Sequence, residues 1–420
     1  MKPPRSAMPV KAISARTINE KGRASMTFLN LDHISANPLL PEVKDAMIDA
    51  IQNDYHNPSS QHQAGEHAAE LLEDARQKTA QLLGAQDAKE IVFTSCGTES
   101  VNHAIKGVAL ANREKGQHII TSNIEHNAIH RSLKRLSSQG FKVTSLPVDE
   151  GGRVDPEDVR DAITDETILV SIMHSNNETG TIQPIEEIGK IVKENHILFH
   201  TDAVDSVGIV PLNVQDLHAD LLSFASNTMY GPPGLAGLYV RRGTRIFPLL
   251  DGGTQENSKR AGRENLLGII GHGKAAELAL NNMDSRQEHL SHLKELLLSE
   301  LPNYIDEYII NTNLDHSLPY LVNISIKYIE GESVMLMLSE EDIAVSTKSA
   351  CATGSLRASH VLLSLGLSHA DAQGTLVISF GPENTEDDVY RFLGALKNIV
   401  DSLRAMSPLY KKAHQTMAQE

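Results

Sequence analysis

The stretch Leu221-Leu-Ser-Phe-Ala-Ser-Asn-Thr-Met-Tyr-Gly-Pro-Pro-Gly234 decides the architecture. It opens with a short run free of charge, breaks into a polar turn and stops at Gly-Pro. A brief apolar run bounded by turn residues reads as a strand buried on both faces. Such strands belong to parallel sheets covered by helices on each side. In open α/β sheets the chemistry collects outside the carboxyl ends of the strands. The turn Ala225–Thr228 is therefore the first place to look for function.

The same punctuation recurs on both sides. Upstream, Ile197–His200 ends at Thr201-Asp202, and Thr167–His174 runs into the polar loop Ser175–Gly180. His118–Ser122 precedes Glu125-His126, and Glu90–Thr94 precedes Ser95-Cys-Gly-Thr98. Helical spacing fills the intervals, so the expected fold class is α/β with a mostly parallel sheet. Downstream, Glu264 to about Leu301 reads as helix with a break near Asn281–Asp284. The remainder reads β-α-β-loop-α-β-α, with strands Leu321–Ile326, Ile343–Thr347 and Thr375–Phe380 and a last helix Glu386–Met406. The expected division is a basic tail over 1–26, a large domain over 38–285, and a small α+β domain made of 27–37 plus 286–410.

With 420 residues the chain can bury a large core. A net charge of −16 argues against a nucleic-acid partner reached through phosphates. No apolar run approaches the roughly eighteen residues of a membrane span. The two cysteines, Cys96 and Cys351, form neither a CxxC pair nor a disulfide framework, and a reducing cytoplasm is the expected setting. Residues 1–26 carry Lys2, Arg5, Lys11, Arg16, Lys21 and Arg23 against Glu20 alone. That composition suits a transit peptide, a disordered tail or a start upstream of Met26. The plain tail is the reading taken, because composition alone is a weak address.

Several turns carry chemistry-bearing residues. Ser95-Cys-Gly-Thr-Glu99 sits between a strand and a helix N-terminus, where free N–H groups and the Thr98 hydroxyl can cup an anion. Thr98 as a simple helix cap explains it equally well. His126 can stack on an aromatic ring or serve as a structural hydrogen-bonding residue. Asp202, flanked by apolar sequence, needs a cationic or donor partner. Taken in this order, these segments resemble the cysteine desulfurases, members of the fold-type I pyridoxal-phosphate (PLP) enzymes. The resemblance runs from about Phe28 to Tyr410.

That resemblance implies a fold-type I PLP-transferase architecture. It implies that Gly97, Thr98 and their turn bind the PLP phosphate, that His126 stacks on the ring, that Asp202 pairs with the ring nitrogen, and that Asn177 touches the ring hydroxyl or the substrate. Gly252–Gly262 matches the segment that reaches the partner subunit's site, which implies a homodimer. Ser346-Thr-Lys-Ser-Ala-Cys-Ala-Thr353 matches the mobile loop with the persulfide cysteine, placing that role on Cys351. The departures are specific. The family's Ser-x-His-Lys, whose lysine holds PLP as a Schiff base, is here Ala225, Ser226, Asn227 and Thr228. A family Gln is Asp205, the substrate-gripping Arg is Val377, and the partner's phosphate-contacting Thr or Ser is Arg263.

A lysine in that place serves as carbonyl-trapping amine and as acid/base, and Thr228 can do neither. Lys259 and Lys348 are the only lysines in the matching segments, and neither falls at the expected position. Cys351 has Lys348 and Arg357 nearby, and a cation raises the thiolate fraction, whereas Cys96 reads as an inert small side chain. The leading expectation is a desulfurase-like protein of sulfur transfer or iron–sulfur cluster assembly. In it Cys351 carries a persulfide or ligates a cluster shared with a scaffold or sulfur-acceptor partner, and PLP is held non-covalently or not at all. The alternatives are an active PLP-dependent desulfurase by an unusual route, and a pocket for another anion built on Arg263 and the Thr98 turn.

Overall fold

The computed structural model describes residues 28–347 and 358–417. Leu29–Asn30 (β1) leads into Pro41–Asn53 (α1), started by its own proline, and Gln63–Leu83 (α2), closed by left-handed Gly84. The sheet then alternates with helices: Ile91–Thr94 (β2), Gly97–Ala111 (α3), His118–Ser122 (β3), Asn127–Ser137 (α4), Lys142–Leu146 (β4), Pro156–Ala162 (α5), Thr167–Ser171 (β5), Ile185–Glu194 (α6) and Leu198–Asp202 (β6). Leu221–Ala225 (β7) and Ala236–Val240 (β8) complete it.

The seven strands run β2-β8-β7-β6-β5-β3-β4. Strands β4, β3, β5, β6 and β7 are parallel, and β8 is antiparallel to both β7 and β2. Every residue of β7 is buried, Ser223 included, as a strand covered on both faces requires. Two reversals bring the carboxyl end of β2 to the same edge as that of β7. The chain leaves β3 outward to β4 and returns to β5 on its other side. Beyond the carboxyl ends of β3 and β5, Ile124 and Met173 pack with Val361 and Leu365.

Leu266–Glu300 (α7) is one helix of 35 residues with no break. The break expected at Asn281–Asp284 is absent because Asn281, Asn282 and Asp284 all face outward while Met283 and Arg286 stay buried. Its first half lies on α2, where a Cβ on Gly273 would come 2.6 Å from that of Ala75, so the two backbones touch. The rest comprises Tyr308–Ile310 (β9), Leu321–Ile326 (β10), Gly331–Glu340 (α8), Ile343–Ala344 (β11), His360–Ser364 (α9), His369–Gln373 (α10), Thr375–Ser379 (β12), Glu386–Met406 (α11) and Pro408–Met417 (α12).

β12-β10-β9 form an antiparallel sheet, and β1 pairs in parallel with β11. The strand expected over Ile343–Thr347 is thus shorter, with Ser346 making an isolated bridge to Val377. One apolar cluster packs around Ile120, Val170, Leu222 and Phe224, and another around Leu290, Leu321, Val377 and Phe392.

Candidate active site

Five turns meet at the carboxyl edge of the large sheet. At the end of β2, Cys96 is the N-cap of α3 and offers no side-chain cap. No described acceptor meets the N–H of Gly97, Thr98 or Glu99, so three backbone donors point outward from the first turn. Thr98 is exposed. A Cβ on Gly97 would lie 2.8 Å from Val204 Cγ2, so only glycine lets this turn approach the turn after β6. Glu99 folds back to accept from Ser95 N at 2.8 Å and from the Ser95 hydroxyl, and it accepts from Arg260 Nε at 2.9 Å. Burial pushes the Glu99 carboxyl up, but Arg260 and Ser95 outweigh it and hold it below the usual range.

Asp202 ends β6 and is buried, with one oxygen accepting from Val204 N at 3.2 Å. Burial, and then the charge of Asp205, push its carboxyl up to about 7. Half-buried Asp205 lies one turn on. His126 is exposed after β3, and its Nδ1 accepts from Ala128 N at 3.2 Å, capping α4. The preceding Glu125 is fully buried. One oxygen accepts from the Ser122 hydroxyl at 2.7 Å and Met173 N at 2.9 Å, and the other has no partner among the described residues. Burial raises its carboxyl to about 8, and Asp202 adds to the rise. Asn177 is partly buried in the loop after β5.

The turn after β7 is only partly satisfied from within: Ser226 Oγ is buried with no partner among the described residues. Thr228 is 6% exposed and its hydroxyl donates to Ala225 O at 2.9 Å. Asn37 Nδ2 donates to Asn227 O at 3.0 Å, bringing the N-terminal segment against the same turn. Val377 lies mid-strand in β12, fully buried, with its N–H donating to Ser346 O at 2.7 Å. Lys259 is half-buried among Glu256, Arg76 and Glu90, on the β2 side of the sheet. Arg263 is exposed and shares a cleft with Ser95 and Arg260. The Cys351 loop, with Lys348 and Arg357, lies outside the described residues. Its downstream stem is described: Ser359 donates to the Glu178 carboxylate, and His360 Nε2 lies 3.0 Å from Glu125 O.

Sequence reasoning passed over Glu99, Glu125, Glu178 and Arg260. Glu99 was signalled by its place at the third position of the helix, where a carboxylate reaches back to the preceding N–H groups. The others are set by long-range contacts, with Arg260 161 positions from Glu99, and carry no local mark.

PLP fits part of this edge. Asp202 is a buried carboxyl lacking a cation, which suits the ring nitrogen, and the three free N–H groups suit the phosphate. For the aldehyde, the turn after β7 offers no amine among the described residues: Thr228 stands there with its hydroxyl donating to Ala225 O. The described residues of this edge therefore offer donors for the phosphate and a carboxyl for the ring nitrogen.

The family description "Aminotransferase class-V" matches residues 29–392. The chain is 47% identical over 382 residues to a protein named cysteine desulfurase IscS from Dictyoglomus turgidum, covering 91% of this chain and 96% of that one. It is 47% identical to another of that name from Methanosarcina thermophila, covering 92% and 95%. A solved structure titled NifS-like protein superposes with a TM-score of 0.84 at 37% identity, covering 90% of this chain and all of that one. With fold and sequence agreeing over nine-tenths of its length, the chain belongs to the class-V aminotransferases and, within them, to the cysteine desulfurase family.

Proposed function

We propose that this chain works in sulfur transfer and iron–sulfur cluster assembly with its PLP chemistry impaired. The observation that carries the reading is Thr228, a buried hydroxyl turned back on its own turn where the family resemblance implies the anchoring lysine. Relatives named cysteine desulfurase support the sulfur side.

In this reading Cys351 is the sulfur-bearing thiol. Its thiolate attacks the terminal sulfur of a donor persulfide. One S–S bond forms, the donor's S–S bond breaks, and the donor leaves as thiolate with no net oxidation. Alternatively, Cys351 supplies a thiolate to a cluster held by a scaffold partner. The chain acts as a homodimer in the cytoplasm, handing sulfur to an acceptor protein. Its divisions are the tail 1–26, the large domain 38–285, and the small domain 27–37 plus 286–410.

PLP, when bound, supplies an electron sink. Asp202 would hold the ring nitrogen, the Gly97–Thr98 turn and Arg263 the phosphate, His126 the ring face, and Asn177 with Asp205 the ring hydroxyl side. The turn after β7 offers hydroxyls and an amide in place of a titrating amine, and Val377 cannot grip a carboxylate. Proton transfer by a positioned group is worth about 10²–10⁴ in rate, and positioning adds to that.

The competing reading is an active desulfurase that uses another amine. Among the described lysines of the matching segments, Lys259 stands apart from the Thr228 turn, beside Arg76 and Glu256. The deciding experiment compares wild type with Thr228→Lys for alanine release from cysteine and for an absorbance band above 400 nm that borohydride reduces. Colour and alanine are expected in the variant alone. Appreciable alanine release by wild type would overturn the reading.

A further inference from the structure

We propose that Arg260 and Glu99 form a charge latch that sets whether the first turn of α3 can accept a phosphate, so that both are positioning residues for the cofactor cup. The inference rests on reading that turn as an anion site and does not depend on the sulfur chemistry.

Glu99 is an anion already seated at the helix N-terminus. It takes up the Ser95 N–H and hydroxyl and sits in the same first turn as the free donors of Gly97 and Thr98. Left bare, its charge would occupy the same positive end of the helix that a phosphate needs, and like charges there oppose each other. Arg260 removes that opposition. Its Nε and second guanidinium nitrogen bind the two Glu99 oxygens at 2.9 and 3.4 Å, with the side chains only 20% and 10% exposed. The pair is therefore weakly screened.

The segment carrying Arg260 is itself held under strain. Glu256, Asn257 and Ser258 all have left-handed backbones, at φ of 49°, 53° and 62°, which non-glycine residues seldom adopt. What holds them is the buried carboxylate of Glu256. It binds Arg76 through two bonds of 2.7 and 2.9 Å and accepts from Phe93 N on β2 at 2.8 Å. Phe93 lies two residues before Ser95, so one anchor fixes both the strand that ends in the cup and the segment that neutralises it. Between them lies a cleft bounded by Ser95, Arg260 and Arg263.

The test uses the full chain and measures equilibrium binding of PLP, of pyridoxal and of inorganic phosphate by calorimetry for wild type, Arg260→Gln, Glu99→Gln and the double variant. Wild type is expected to prefer PLP to pyridoxal. Arg260→Gln should weaken PLP and inorganic phosphate about tenfold while leaving pyridoxal within about twofold. Adding Glu99→Gln to Arg260→Gln should restore most of the loss, a rescue that a merely structural pair would not give. Equal losses for PLP and pyridoxal, no rescue in the double variant, or a wild type that binds neither PLP nor phosphate would each overturn the latch. Alanine release by wild type would sink the proposed function and leave this result untouched.

Discussion

The two halves of the candidate site have parted ways. At the ends of β2 and β6, polar groups stand open among the described residues: three outward-facing N–H groups without acceptors and a buried Asp202 without a cation. At the end of β7 and on β12, the two substituted positions have closed on themselves: Thr228 bonds its own turn and Val377 joins the apolar core, while Ser226 Oγ beside Thr228 has no partner among the described residues. A buried carboxyl without a cation is costly, and outward-facing N–H groups stay open to a ligand. Self-satisfied polarity needs no ligand. In the function proposed above, this contrast separates holding a cofactor from using it.

The sharpest way to break this comparison is to reopen the closed half. Thr228→Lys should raise alanine release by about 10² or more over wild type, measured as product per hour, because proton transfer of that size is missing. An unchanged rate would mean that Val377 or another loss disables the site independently.

Next in size is the anchor beneath the open half. Glu256→Ala strands Arg76 in the interior and should cost about 3–5 kcal/mol in urea unfolding. Removing Asp401 from its exposed pair with Lys397 should cost under about 1 kcal/mol. Equal costs would deny the anchor its role.

The open half also predicts a pH profile. Folded Glu125 and Asp202 keep their protons to about pH 8 and 7, above the unfolded carboxylate range. Their favourable contribution is thus complete in acid and is lost as pH rises through those values. Buried His174, His200 and His272 are depressed to about 4, 3 and 4 by desolvation, so their contribution is present above about 6.5 and lost as pH falls. Thermal midpoints of the ligand-free protein should peak between these limbs. Asp202→Asn with Glu125→Gln should flatten the alkaline limb, and saturating PLP should lift it by giving Asp202 a cation. An alkaline limb unmoved by either would remove the claim that Asp202 waits for a partner. The smallest effect is Thr228→Val, expected to cost about 1 kcal/mol for one internal hydrogen bond and to leave alanine release unchanged.

Much of the scaffold was legible beforehand. β7 follows from an apolar run cut by Gly-Pro, and α11 starts where Thr385 and Asp388 form a capping box. β9 escaped because three half-buried residues on a sheet edge show no alternation. α12 escaped because Pro408 reads as a stop yet sits at the first turn, where proline is tolerated. The substituted positions were visible as departures from a pattern. Their consequences were not, since nothing local says that the Thr228 hydroxyl turns inward or that Arg260 meets Glu99.

The unbroken α7 has a consequence for anyone who would take the molecule apart. As a rod of about 52 Å, it lends one end to the α1–α2 side and the other to α11, like a shared spine. A genetic cut at the waist would leave each fragment with half a bare apolar stripe, Ala275 and Ala279 on one piece and Leu290, Leu293 and Leu297 on the other. The halves should prove insoluble when expressed singly and regain solubility when produced together.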